Sequence, residues 1–299
     1  MLKFIKRSFD MRILFKTNYK QDLNLAKHGG HRFWYGLLIL VLFAAPLILG
    51  GYYIGEATRI LIYAMAGLGL MVLTGFTGQV SLGHAAFLAI GAYTNAWFLA
   101  QGFSSFVALP MAALLSMIGG LLVAVPAARM SGIYLAIATL AFAIIVEDFA
   151  GHLNSITGGN RGMMVDVPML FGYQMWEPWE LYLFVLIILI AATLAVLNIL
   201  RSPLGRAMIA VRDSEVSSQA LGVNPMKIKV FAFTVSAAIT GLAGAFLAHY
   251  MSFLTPQIFG ILLSIQLLLM IVLGGLGTVH GVFFWGCIDW RTGNRHINC

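Results

Sequence analysis

The sequence predicts an all-α fold: a polytopic transmembrane helix bundle of about eight full spans and the start of an incomplete ninth. Two observations predict it. Of 299 residues, 60% are hydrophobic and only 10% charged, against about 25% charged in an average soluble domain. A water-soluble fold of this size could not hide so much apolar surface. The apolar residues also form long continuous runs, the length a helix needs to cross the hydrocarbon core, rather than the short alternating segments of a membrane barrel. The formal charge of +7 does not indicate a nucleic-acid partner, because the basic residues gather in short stretches between those runs.

The chain opens with a basic segment, 1–32. It carries Lys3, Lys6, Arg7, Arg12, Lys16, Lys20, Lys27 and Arg32 against Asp10 and Asp22. Interleaved Phe4, Ile5, Phe9 and Ile13 make it either a surface amphipathic helix or a basic tail. It is not read as a cleavable signal, since the apolar run after it is too long and has no small-residue cleavage site. The membrane domain, 33–285, then offers spans at 33–54, 58–73, 80–100, 106–126, 132–149, 181–200, 228–250 and 258–276. A ninth begins at 279–285. It is not expected to be completed by the polar tail, 286–299, where Asp289, Arg291 and Arg295 would each cost about 2.5–3.5 kcal/mol at a helix centre. Cys287 and Cys299 have neither disulfide-framework nor metal-ligand spacing.

Basic residues favour the cytoplasmic side, so the N-terminus is expected inside. Alternation then puts the turn near Gly75, the Arg129 connection and 201–229 inside, with 101–105 and 152–180 outside. The loops agree: Arg201, Arg206, Arg212, Lys227 and Lys229 lie in the inside loop, and Arg161 alone in the long outside one.

Two segments are too unusual for plain spans. In "GFTGQVSLGHAAFLAIGAYT", Gly75, Gly78 and Gly83 interrupt the helical pattern, and Gln79, Ser81 and His84 bring polar groups to membrane depth. Irregular backbone is tolerated there only where protein buries it or it lines a water-filled path. The polar side chains therefore either satisfy freed backbone groups or face a passing solute, and the alternative is a capped tight turn. The second segment, "RSPLGRAMIAVRDSEVSSQALGVNPMKIK", mixes Met208, Ile209, Val211 and Val216 with Arg206, Arg212, Asp213 and Glu215. It reads as short helices that end at Ala220-Leu221-Gly222, with Asn224-Pro225 as a firm stop. Such an elbow suits docking into another protein's groove or simply joins two spans along the membrane surface.

Other polar features read more plainly. Glu147 and Asp148 fall where the fifth span meets the interface and are expected to be solvated. The 157–162 Gly-rich run lacks the Lys-Ser/Thr of a phosphate loop. His84 and His280 have no second ligand at useful spacing, so no metal site is expected. Ala237, Gly241, Ala245 and His249 share a helical face, as in close helix packing. No activated nucleophile, redox motif or Walker sequence is present, so the chain is not read as an ATPase or other enzyme.

"TGQVSLGHAAFLAIGAYT" and "SPLGRAMIAVRDSEVSSQALGVNPMKIKVFAFTVSAAITGLAGAFLA" together resemble the LivM-type permease subunit of bacterial ABC importers for branched-chain amino acids. "TGGNRGM" and "LGGLGTVHG" fit as well, and the likeness runs from about 60 to 284. The polar sequence after Phe284 departs from the pattern. The resemblance implies a bacterial inner-membrane protein with a second homologous permease subunit, two cytoplasmic ATPase subunits and a periplasmic solute-binding protein as partners. No cofactor is implied in this chain, ATP and Mg belonging to the ATPase. Gly205, Arg206, Arg212, Asp213, Glu215, Ala220 and Gly222 fall in the implied coupling loop. Gly75, Gly78, Gln79, Ser81, Gly83 and His84 become candidates for the translocation path. A urea or short-chain amide importer is the nearest alternative. An ion-driven secondary transporter is a further one, but it would want midplane carboxylates that the spans lack.

Overall fold

The computed structural model describes residues 38, 40–47, 50–170 and 173–275. The chain divides into two units, Met1–Ile48 and Leu49–Cys299. In the first, residues 40–47 are helical. Segment 1–32, much of the first expected span, the ninth span, the polar tail, both cysteines and His280 lie outside the described residues.

The second unit is a helix bundle. Its long helices are α1 (Gly51–Thr77), α2 (His84–Ala100), α3 (Ser105–Ala127), α4 (Ile133–His152) and α5 (Pro178–Arg201). Two short helices, α6 (Pro203–Asp213) and α7 (Glu215–Ala220), lead into α8 (Pro225–Met251), and α9 (Ile261–Gly274) follows a 3-10 turn at Pro256–Phe259. Among the described residues six segments are long and apolar enough to cross a membrane: α1, α3, α4, α5, α8 and Pro256–Gly274. At 17 residues, α2 sits at the short end of spanning length.

The helix boundaries differ from the sequence reading in instructive ways. α1 begins before Thr58 because its charges are paired within the helix: Arg59 Nη2 lies 2.8 Å from Glu56 Oε2. It also runs through Gly75 and stops only at Gly78, which caps it in the left-handed region (φ 70°) and donates its N–H to Leu73 O. The third expected span starts at His84, not Val80, because Gly83 is its N-cap. Asn224-Pro225 starts α8 rather than stopping a helix. The Asn224 side chain accepts from Lys227 N (3.3 Å), and Pro at the first helical position needs no N–H partner.

α8 is the central element, packed against α1, α2 and α3. Small residues permit this: a Cβ on Gly91 of α2 would land on the Gly241 carbonyl of α8, and one on Gly241 would strike Ser116 of α3. In α1, 89% of the spanning window is buried and in α8 67%, against 28% in α3 and 22% in each of α4 and α5. The last three therefore present apolar faces outward, as lipid-facing helices do, with Leu122, Ile137 and Leu194 exposed.

Loop contacts sort the two ends of this bundle. Met163–Met164 (β1) pairs antiparallel with Phe253–Leu254 (β4). Met169–Leu170 (β2) pairs with Tyr173–Gln174 (β3), and Ser104 Oγ donates to Met169 O (2.9 Å). Residues 101–104, 153–170, 173–177 and 252–260 thus share one end. At the other, Arg212 Nη1 donates to Gly75 O (2.8 Å) and Leu82 N donates to Thr139 Oγ1 (3.1 Å). This joins the turn at 78–83 to the elbow and to the start of α4, the grouping that alternation requires.

Candidate functional site

The 78–83 turn is a hub of buried hydrogen bonds. His84 Nε2 lies 2.7 Å from Ser236 Oγ on α8, and Ser236 Oγ donates its proton to Gly69 O on α1 (2.6 Å). Ser236 can therefore only accept from His84, which makes Nε2 the protonated nitrogen and Nδ1 an acceptor. Ser81 Oγ, 3.1 Å from Nδ1, donates to it and accepts from Gly83 N (3.3 Å). Ala85 N donates to Ser264 Oγ on α9 (3.1 Å). Distant hydroxyls on α4 and α9 thus take up backbone N–H groups that the broken helix leaves unpaired, as a buried backbone requires, while Ser236 of α8 holds the His84 ring. Ser81 and His84 are fully buried. Gln79 is buried as well, and neither polar atom of its side-chain amide has a hydrogen-bond partner, while its carbonyl accepts from Thr74 Oγ1 (3.1 Å).

The elbow is built by serine caps. Ser202 Oγ accepts from Gly205 N (3.4 Å) and starts α6, and Ser214 Oγ accepts from Ser217 N (3.2 Å) and starts α7. Met208 and Val211 are buried beneath it, and Gly205 fits only because a Cβ there would meet the Leu200 and Ile199 backbone. Arg206, Arg212, Asp213, Glu215, Ala220 and Gly222 are all exposed. Arg212 spans from this surface to the C-terminus of α1, where a cation meets the negative end of the helix dipole. Outside the spans, the Tyr173 hydroxyl donates to Glu180 (2.7 Å); this bond and the nearby Glu180 and Glu177 charges raise the tyrosine's pKa above its usual value.

Lys229 ties the elbow to α8. Its side chain is 5% exposed, and its Nζ lies 2.5 Å from Glu215 Oε1, whose side chain is 48% exposed. Glu215→Gln should leave that cation without its counter-charge and lower stability by about 1–2 kcal/mol, below the cost of a fully buried broken pair because Glu215 is half in water. Thermal unfolding of the purified chain in detergent checks this, and adding Lys229→Met should restore most of the loss.

The sequence reading found the elbow and the turn but missed what joins and surrounds them. It did not identify Ser236, Thr139 and Ser264 as partners of the turn; single hydroxyls in apolar helices were the available signal. It also did not identify Val216 and Leu221, 80% and 82% exposed, as an uncovered apolar surface on a polar loop. Glu147 lies near Gly260, and Asp148 pairs with exposed His152 at 3.5 Å, both at the end away from the elbow.

Bundle, buried turn and exposed elbow together define a multi-pass helical membrane protein. The profile of the family described as "Branched-chain amino acid transport system / permease component" matches residues 52–289, and this chain belongs to that family. It is 35% identical over 270 residues to the high-affinity branched-chain amino acid transport system permease protein LivM of Salmonella typhimurium, covering 82% of this chain and 64% of that one. It is 35% identical over 275 residues to the protein of that name from Escherichia coli, covering 84% and 64%. It is 26% identical over 177 residues to a probable branched-chain amino acid transport permease protein LivM of Methanocaldococcus jannaschii, covering 59% and 51%. The chain thus spans 64% of the length of the first two relatives. No solved structure matches it significantly.

Proposed function

We propose that the chain is a permease subunit of an ATP-binding-cassette importer. It forms part of the membrane path for leucine, isoleucine or valine, handed over by a periplasmic binding protein. The observation that carries this reading is the family match, which covers both the buried turn and the elbow, and the names of the relatives support the solute. In this reading the chain crosses the bacterial inner membrane about eight times, with the N-terminus and the Arg- and Lys-rich elbow in the cytoplasm. A second homologous permease subunit completes the path. Two ATPase subunits dock on the elbow and hold ATP and Mg, and this chain has no cofactor of its own.

The exposed Val216 and Leu221 suit the apolar centre of such a docking surface, with Arg206, Asp213 and Glu215 at its rim. Closure of the ATPases moves the elbow, and the Arg212–Gly75 hydrogen bond carries the movement to α1 and the turn. The path then switches between two global states, the least that coupling requires. Among the path candidates, Gln79 is the one whose buried polar side-chain atoms are uncommitted, and we assign it to the inner gate.

Arg206→Glu combined with Ala220→Arg tests the docking role. Both positions are exposed, so the bundle should stay folded while the ATPase no longer co-purifies and ATP-dependent leucine uptake falls to under about a tenth, because Arg at position 220 puts a charge beside the apolar Leu221 centre and Glu at 206 reverses the rim charge. Wild-type uptake by this variant would count against the reading, and uptake abolished by an ionophore with ATP present would favour an ion-driven carrier.

A further inference from the structure

The two helices of the elbow are held by different forces. α6 buries Gly205, Met208 and Val211 and packs against α1, α5 and α8, so apolar contact fixes it to the bundle. α7 buries Ser218 alone of its six residues. Its hydrogen bonds are local: Ser218 Oγ donates to Glu215 O (2.8 Å), and Leu221 N and Val223 N donate back to Ser217 O and Ser218 O.

Both ends of α7 are jointed. Ser214, before it, is extended (φ −162°, ψ 114°). Gly222, after it, lies in the left-handed region (φ 83°), and a Cβ there would meet nothing within 4 Å. A hinge needs just such a few residues at the ends of an element, able to absorb a change of dihedral.

Charge ties α7 to α8. The Lys229 side chain is 5% exposed, and Glu215, half in water, supplies its counter-charge across 2.5 Å. An ammonium buried without a partner is costly, so α7 cannot swing away without stranding one. Yet α7 and the residue after it hold Val216 and Leu221 out into solvent. A binding partner shifts a two-state element only by its differential affinity for the two states. An apolar groove closing on Val216 and Leu221 supplies that differential.

We propose that the Glu215–Lys229 pair is a latch. It holds α7 against α8 in the resting state, and closure of the ATPase subunits on Val216 and Leu221 releases it. α6, joined to α1 through Arg212, stays with the bundle, and α7 is the part that swings. The inference deepens the import reading and rests on it for the identity of the partner. The latch itself lies within this chain and is measurable without that partner.

Spin labels at Leu204→Cys on α6 and Val216→Cys on α7, both exposed positions, report the separation of the two helices in the full chain in lipid nanodiscs, with Cys287 and Cys299 changed to Ser. The native pair should give one narrow distance. Glu215→Gln with Lys229→Met deletes the pair without stranding a charge and should give a broad distribution. Glu215→Lys with Lys229→Glu, the reversed pair, should narrow it again. In the assembled complex, ATP hydrolysis without the solute-binding protein should rise about fivefold or more in the pair-deleted variant, the scale of a typical coupling between two sites, and fall back in the reversed one. An equally narrow distance in the pair-deleted variant, an equally broad one in the reversed pair, or unchanged hydrolysis would overturn the latch. A wild type that neither retains an ATPase nor takes up leucine with ATP would overturn the import reading, and the label distances would still decide for or against the latch.

Discussion

Gly91→Leu should abolish recovery of the folded chain. The Cβ of any residue at position 91 would fall on the Gly241 carbonyl, where α2 and α8 touch backbone to backbone. Overpacking against side chains costs about 1–3 kcal/mol, but here only separation of the helices gives relief. Separation would draw His84 from Ser236, now at 2.7 Å, and open the contact in which a Cβ on Gly244 would strike Leu88. The sum should exceed about 4 kcal/mol, at the extreme of single substitutions. Size-exclusion chromatography in mild detergent should show loss of the monodisperse peak. Gly119→Ala is the control, since its Cβ would meet only the flexible tip of Ile90 at 3.1 Å. If Gly91→Leu behaved like that control, the described α2–α8 contact would be wrong.

Arg212→Ala should separate coupling from folding. Its guanidinium is held to Gly75 O at 2.8 Å, and it also lies 3.5 Å from Asp213 with 41% of its side chain exposed. Screening limits the stability effect to about 0.5–1 kcal/mol. Transport should suffer far more, because this bond joins the elbow directly to the C-terminus of α1. We expect ATP-driven leucine uptake to drop at least about tenfold while the ATPase still co-purifies. That distinguishes it from the Arg206→Glu, Ala220→Arg pair, which should lose the ATPase itself. Arg212→Lys keeps the charge near the helix end but shortens the reach, and should recover uptake in part. Unchanged uptake in Arg212→Ala would remove this bond from the transmission route.

Among the described residues, the fourth to eighth expected spans were legible to within about three residues, because apolar length is a one-dimensional property, whereas α1 (Gly51–Thr77) starts well before the second expected span. Their ends were less so, since caps set them: Gly78 in the left-handed region, Gly83 before α2, and Asn224-Pro225, whose proline suits a start as well as a stop. The Ala237, Gly241, Ala245 and His249 face was visible as a four-residue spacing. Its partners were not, because spacing says that a helix can be approached closely and not which helix does so. For Ser81 and His84 the sequence left two readings open, backbone satisfaction or solute contact. Ser81 bonds locally to Gly83 N and to the His84 ring, but His84 reaches Ser236, over 150 positions away, and no local pattern encodes such a pairing.

Composition and run length alone determined that this chain is a membrane-embedded helix bundle with an amphipathic elbow, because apolar surface must be hidden from water wherever it lies along the chain. Only the tertiary structure decided that the polar turn is stitched to α4, α8 and α9, that Arg212 links the elbow to the end of α1, and that Asn95 of α2 meets His249 of α8. Those features depend on which distant atoms come within about 3 Å of one another, a property of packed helices and not of any single one.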